Sequence, residues 1–172
     1  MLDSVISSKS LRIHSHIRSL LSVSNSSVTL AVHNFRFLLL KGNKVIMKEK
    51  IIVENGAPPG GPYSPAIRAN GLLFISGQIP LNPETGKLIT NSIQDEVRQT
   101  LENIKVMVEA AGSTMDNALK CTVYLRNFQD FQSMNEVYAT YFPGDIPPTR
   151  TTVEVSSLAK GVNVEIDMIA LG

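Results

Sequence analysis

An arginine and two acids in an aliphatic C-terminus are the side chains that could do chemistry. Arg150 sits in Pro147-Pro148-Thr149-Arg150-Thr151-Thr152-Val153-Glu154-Val155, a β-type run opened by two prolines. Strand side chains alternate sides, so Arg150, Thr152 and Glu154 share one face and Thr151, Val153 and Val155 the other. In the run 162–170, Val162, Val164, Ile166 and Met168 point one way, and Asn163, Glu165 and Asp167 point the other. A guanidinium is the planar fork that takes a carboxylate through two parallel hydrogen bonds. A neighbouring carboxylate can act as a general base or proton relay. The pattern suggests a small carboxylate-binding pocket with an acid nearby. A salt bridge between Arg150 and Glu165, Asp167 or Glu154 is the plain alternative, and the residues alone leave both open.

Further residues join them. Ser76-Gly77 interrupts the aliphatic run Leu72 to Ile79. Glycine inside a strand marks a bulge, a close backbone approach or a packing site beneath a ring. Tyr63, in the Gly- and Pro-rich stretch Gly56 to Pro65, offers a ring and a hydroxyl, either to a pocket or as a half-buried loop anchor. Cys121 is the single cysteine of the chain. It excludes an intramolecular disulfide and, with no histidine after His33, reads as packing rather than nucleophile.

The elements that must position these residues follow from periodicity. Strands are expected at Lys50 to Val53, Leu72 to Ile79, Leu119 to Leu125, Thr149 to Val155 and 162–170. A helix capped by Asn91 or Ser92 carries the stripe Ile93, Val97, Leu101, Ile104 and Val108, and Gly112 ends it. A second helix, with Asp130 as its cap, presents Phe131, Met134, Val137, Tyr138 and Tyr141 before Pro143-Gly144. The order β-β-β-α-β-α-β-β predicts a two-layer α+β domain, a mixed sheet of about six strands with both helices on one face. On this reading the aliphatic sides of the last strands pack beneath the helices. Arg150, Thr152, Asn163 and Glu165 line the other side, an open face of mixed polarity suited to an oligomer.

Charge divides the chain. Residues 1–46 hold six Lys/Arg against one acid, ten serines and all three histidines; residues 47–172 hold ten Lys/Arg against fourteen acids. The second part is expected to be one domain. The first reads as an organelle transit peptide, a disordered tail or an upstream start before Met47, which leaves the compartment cytoplasmic or mitochondrial/organellar. The apolar run Phe37 to Leu40 is too short to cross a bilayer, so no membrane partner is expected. The acidic domain offers a poor phosphate footprint and no histidine for general acid–base cleavage, which argues against a nucleic-acid partner or ribonuclease. No metal-ligand spacing, GxGxxG or P-loop calls for a metal or cofactor.

The succession Gly61-Pro62-Tyr63-Ser64-Pro65, Phe74-Ile75-Ser76-Gly77-Gln78-Ile79-Pro80, Pro148-Thr149-Arg150 and Val164-Glu165-Ile166 resembles the reactive intermediate deaminase family, also called the YjgF or RidA family. The resemblance spans about residues 48–171. It implies a chorismate-mutase-like fold assembled as a homotrimer, with cofactor-free active sites between subunits. It also implies hydrolysis of enamines and imines such as 2-aminoacrylate, 2-iminopropanoate and 2-iminobutanoate to 2-oxo acids and ammonia. By that resemblance Arg150 clamps the substrate carboxylate and Glu165 holds a water, while Tyr63, Ser76, Gly77 and Thr152 line the pocket. Asn135 lies near the interface. Thr152 departs from the family, where cysteine or a small residue is usual. The competing reading is a keto-acid-binding or regulatory module without turnover.

Overall fold

A computed structural model of the chain describes residues 48–54, 56 and 59–172. The expected extension, residues 1–46, and its boundary at Met47 lie outside the described residues. The elements are β1 (Lys48–Lys50), β2 (Ala66–Ala69), β3 (Leu72–Gln78), α1 (Ile93–Ala110), β4 (Ala118–Leu125), α2 (Phe131–Tyr141), β5 (Thr149–Glu154) and β6 (Val164–Leu171). The order of strands and helices is the expected one. All six strands join one mixed sheet in the order β1-β2-β3-β6-β4-β5. Every pairing is antiparallel except β4 with β5.

Both helices cover one face. Val97, Leu101, Ile104 and Val108 of α1 and Met134 of α2 are fully buried, packed with Leu73, Val123, Val164, Ile166 and Met168 of the sheet. The helical stripe read from 3.6-residue spacing therefore meets the two-residue alternation of the strands. Ser92 caps α1, its Oγ accepting from the Asp95 amide at 3.1 Å, an arrangement that contributes about 1 kcal/mol. Gly112 follows the helix at φ 73°, a left-handed conformation that glycine adopts without strain.

Two expectations need correction. The first strand is Lys48–Lys50 rather than Lys50 to Val53; the chain leaves the sheet after Ile51 donates to the Ala66 carbonyl at 3.0 Å. The apolar run marks anchoring of the departing loop, with Ile51 buried and Ile52 exposed. Asp130 does not cap α2 with its side chain. The chain enters α2 through a 3₁₀ turn, Phe128–Asp130, so the capping bond is made earlier, by Asn127 Oδ1 to the Gln129 amide at 3.0 Å.

The face away from the helices carries Ile67, Phe74, Ser76, Thr122, Tyr124, Val153, Glu165 and Ile169 by register. Among the described residues no element covers it. No helix among the described residues is long and apolar enough to cross a membrane.

Candidate active site

The interruption at Ser76-Gly77 is a β-bulge. Ile75 pairs with Met168 and Gln78 with Ile166, so Ser76 and Gly77 together oppose Asp167. The bulge is fastened on both sides. The Ser76 amide donates to the Pro65 carbonyl at 2.9 Å and its Oγ to the Ser64 carbonyl at 2.9 Å. Gln78 Nε2 donates back to the Ser76 and Gly77 carbonyls at 2.9 and 3.2 Å. The close approach that demands glycine comes from an acid. A Cβ at residue 77 would lie 2.9 Å from Cδ of Glu165 and 3.2 Å from its Cγ, and closer still to Oε1. The bulge thus creates the shelf on which the Glu165 carboxylate lies.

Beside this shelf opens a cleft of about 380 Å³ whose walls include Pro59, Tyr63, Gly77, Leu81 and Lys160. Tyr63 is half exposed, and its hydroxyl accepts from the Gly60 amide at 3.0 Å, so the loop is folded around its own tyrosine. Tyr63 and Gly77 thus line one cleft, with Ser76 in the same bulge and Glu165 lying against Gly77.

Burial pushes the Glu165 carboxyl above its ordinary value, and the negative charge of Asp167 on the same strand adds to the shift. Asp167 is itself engaged, accepting from the Tyr124 hydroxyl at 3.0 Å. The raised value has a consequence for stability. The fold favours protonated Glu165, so the stability this contributes is complete below the ordinary carboxylate value of 4.5 and is lost as pH rises through the folded value. At neutral pH the ionised side chain is a net cost. Glu165→Gln is expected to raise Tm by about 1–3 °C at pH 7, discounted for partial exposure, with the gain vanishing below about pH 4. Thermal melts of the two proteins across pH check this, and a constant Tm difference would contradict it.

Arg150 is elsewhere, and here the sequence reading is overturned. It pairs with Cys121 of β4, a core residue, so Arg150 and Thr152 face the helix layer and not the open face. The guanidinium lies over the Tyr138 ring at 4.6 Å and the Phe131 ring at 5.6 Å, with Nη1 at 4.0 Å from Met134 Sδ. Asn163 also belongs to the helix side, its Nδ2 donating to Glu96 of α1 at 2.6 Å. Of the four residues expected on the open face, only Glu165 is there, opposite Tyr124. Polar residues read as solvent-facing because alternation gives no phase between strands. β5 is an edge strand, where aromatic rings of α2 rather than aliphatic side chains meet its polar side.

The salt-bridge alternative for Arg150 finds no support among the described residues, whose ion pairs are Arg68–Glu49 at 3.4 Å and Arg98–Asp95 at 2.8 Å. A half-buried cation resting on two π-faces keeps its edge donors for an acceptor. Asn135, half-buried, falls one helical turn from Phe131 and from Tyr138, on the side of α2 nearest Arg150. Thr152 Oγ1 is buried without a hydrogen-bond partner. Thus Arg150 and Thr152 lie on the helix side of the β5 edge, facing the α2 helix that carries Asn135. Ser76, Gly77 and Glu165 lie on the opposite side of the sheet, with Tyr63 on the cleft that Gly77 lines.

Cys121 is fully buried, and that burial pushes its thiol up to about 11, so it is inert packing as expected. Sequence reasoning missed Glu96, fully buried in the first turn of α1. Its place beside Val97 gave no sign, because a carboxylate next to an apolar stripe normally points to solvent.

The family model described as Endoribonuclease L-PSP matches residues 54–172. A RutC family protein of Pyrococcus horikoshii is 53% identical over 124 residues, 72% of this chain and 98% of the relative. The chain belongs to the YjgF/RidA family. A 2-iminobutanoate/2-iminopropanoate deaminase of mouse is 39% identical over 123 residues, 71% of this chain and 90% of that protein. The crystal structure of a Rid family protein, YyfA of Yersinia pestis, superposes with TM-score 0.71 at 46% identity, covering 73% of this chain and 100% of that one. The mixed sheet with two helices is thus the fold of the family as well as of this chain.

Proposed function

We propose that the chain is a cofactor-free deaminase of 2-imino acids. The observation that carries the reading is Arg150: a half-buried guanidinium supported from below by Tyr138 and Phe131, with no carboxylate partner among the described residues. Such a group suits the carboxylate of a small acid bound through two parallel hydrogen bonds. The mouse relative's name gives the substrate class, 2-iminopropanoate and 2-iminobutanoate.

Arg150 and Glu165 leave opposite faces of one sheet, so a site that uses both is completed between copies of the chain. The uncovered face, which carries Ile67, Phe74 and Ile169 as well as Glu165, supports a symmetric assembly, which we propose is a homotrimer. Arg150 of one copy then holds the substrate carboxylate while Glu165 of the next holds a water over the Gly77 shelf. Water adds to the imine carbon, its proton passes through Glu165 to nitrogen, and the C–N bond breaks to release ammonia and the 2-oxo acid. The raised carboxyl value of Glu165 suits a group that takes up and returns a proton. Orientation of water and imine can contribute several kcal/mol without a covalent intermediate.

Incubating the protein with a pyridoxal-phosphate dehydratase and serine, and trapping the remaining imine with semicarbazide, tests the reading. Faster imine decay than in buffer is expected. Binding of a 2-oxo acid without any acceleration would favour a metabolite-binding module instead. The family description also names an endoribonuclease. The domain's fourteen acids against ten Lys/Arg, and its lack of histidine, give little for phosphate binding or acid–base cleavage of RNA.

A further inference from the structure

We infer that Glu96 is a positioning residue for Glu165: its buried carboxylate pins Asn163, and with it the start of β6 and the Lys160 turn beside the cleft. Glu96 is fully buried, yet among the described residues both its oxygens serve one residue. Oε2 accepts from the Asn163 amide at 2.8 Å and Oε1 from Asn163 Nδ2 at 2.6 Å. The Asn163 carbonyl accepts from the Arg126 amide at 2.9 Å. Asn163 is thus held at three of its polar atoms, two residues before Glu165.

Burying a carboxylate is costly unless it is well hydrogen-bonded, and an apolar side chain would pack beneath a strand without that cost. The N-terminal turn of α1 offsets part of it through the positive end of the helix dipole. What the carboxylate achieves that an apolar group could not is to fix a backbone amide and a side-chain amide at once. The segment so fixed is unusual. Lys160 adopts φ 57°, a left-handed conformation rare outside glycine, and it lines the cleft with Gly77. Two residues beyond Asn163, the Glu165 carboxylate must lie flat on the Gly77 shelf, where small displacements would lift it toward solvent.

The kinetic part of the test rests on the deaminase reading, whereas a titration part does not. Glu96→Ala is expected to lower kcat roughly 10- to 100-fold, as a misplacement on the order of 1 Å does. KM should change little, because Arg150 is held by α2 and β5. Glu96→Gln can still accept from the Asn163 amide and should recover most of the loss. The second measurement is the titration of Glu165 followed by carboxyl ¹³C NMR. The titratable groups nearest it by register are Asp167 on β6 and Tyr124 on β4; β3 contributes only Ser76 and Gly77. Tyr63 and Lys160 stand on the cleft wall with Gly77, while Lys120 lies farther along β4, opposite Ile169. In Glu96→Ala the Glu165 titration should fall toward the ordinary carboxylate value. An unchanged Glu165 titration in the folded variant overturns the inference, whatever the activity. A wild-type protein without imine hydrolysis would sink the deaminase reading and leave the titration to decide this one. Should Glu96→Ala fail to fold, Asn163→Ala takes its place: a lowered Glu165 titration supports the inference and an unchanged one overturns it.

Discussion

Arg150→Ala is expected to reduce imine hydrolysis by roughly 10²- to 10³-fold, since two charge-assisted hydrogen bonds to a carboxylate are together worth about 3–4 kcal/mol. The loss should appear mainly as weaker binding, with Tm lowered by only about 2–5 °C. No carboxylate of the described residues depends on Arg150, so removing it strands no buried anion. What is lost structurally is its stacking on Tyr138 and Phe131, on the order of 1 kcal/mol at a partly exposed site. A salt-bridge role predicts the reverse, lower stability with activity intact in the folded fraction. Arg150→Lys keeps the charge and loses the fork, and should fall between. The opposite faces of Arg150 and Glu165 add a sharper expectation. Neither Arg150→Ala nor Glu165→Ala chains alone should be active, but unfolding and refolding them together should regain part of the activity. Mixed assemblies then contain sites with an intact arginine from one copy and an intact acid from another. No recovery in verified mixed assemblies would argue that a single chain supplies both groups.

Gly77→Ala should have the second large effect, a fall in kcat of roughly 10- to 100-fold. The backbone at residue 77 needs no left-handed conformation, so the chain itself tolerates alanine. The new methyl would instead occupy the space of the Glu165 carboxylate, with Cδ at 2.9 Å and Cγ at 3.2 Å. Glu165 is the movable end of a side chain and must swing away from the shelf toward water. Its carboxyl should then titrate nearer the ordinary value, because burial is the main cause of its shift. Stability should change little, as relief of the buried charge offsets disturbance of the bulge. Steady-state kinetics with the Glu165 titration check the claim; normal kcat in a folded Gly77→Ala protein would mean that Glu165 does not work from this shelf.

The sequence by itself determined the order of the elements and the strongly periodic ones among them. It did not determine the short strands Lys48–Lys50 and Ala66–Ala69, whose few residues show no clear alternation. Spacing of Val97, Leu101, Ile104 and Val108 made one helix, and alternation of Val164, Ile166 and Met168 made a strand buried on one side; both lie in the core. It also marked the glycine at residue 77, because an interruption of an aliphatic strand needs a reason. Tertiary structure alone decided which sides of different strands coincide. Periodicity fixes a face relative to its own strand, but the phase between strands is set by pairing register. Insertion of β4 between β5 and β6 turned Arg150 toward the aromatic side of α2 while Glu165 stayed on the open face. The Glu96–Asn163 clamp was hidden for a similar reason. Its partners are 67 residues apart, and no local pattern tells a buried carboxylate from a solvated one. Hydrophobic periodicity is a local property of the chain, whereas the meeting of two polar groups is a property of the packing.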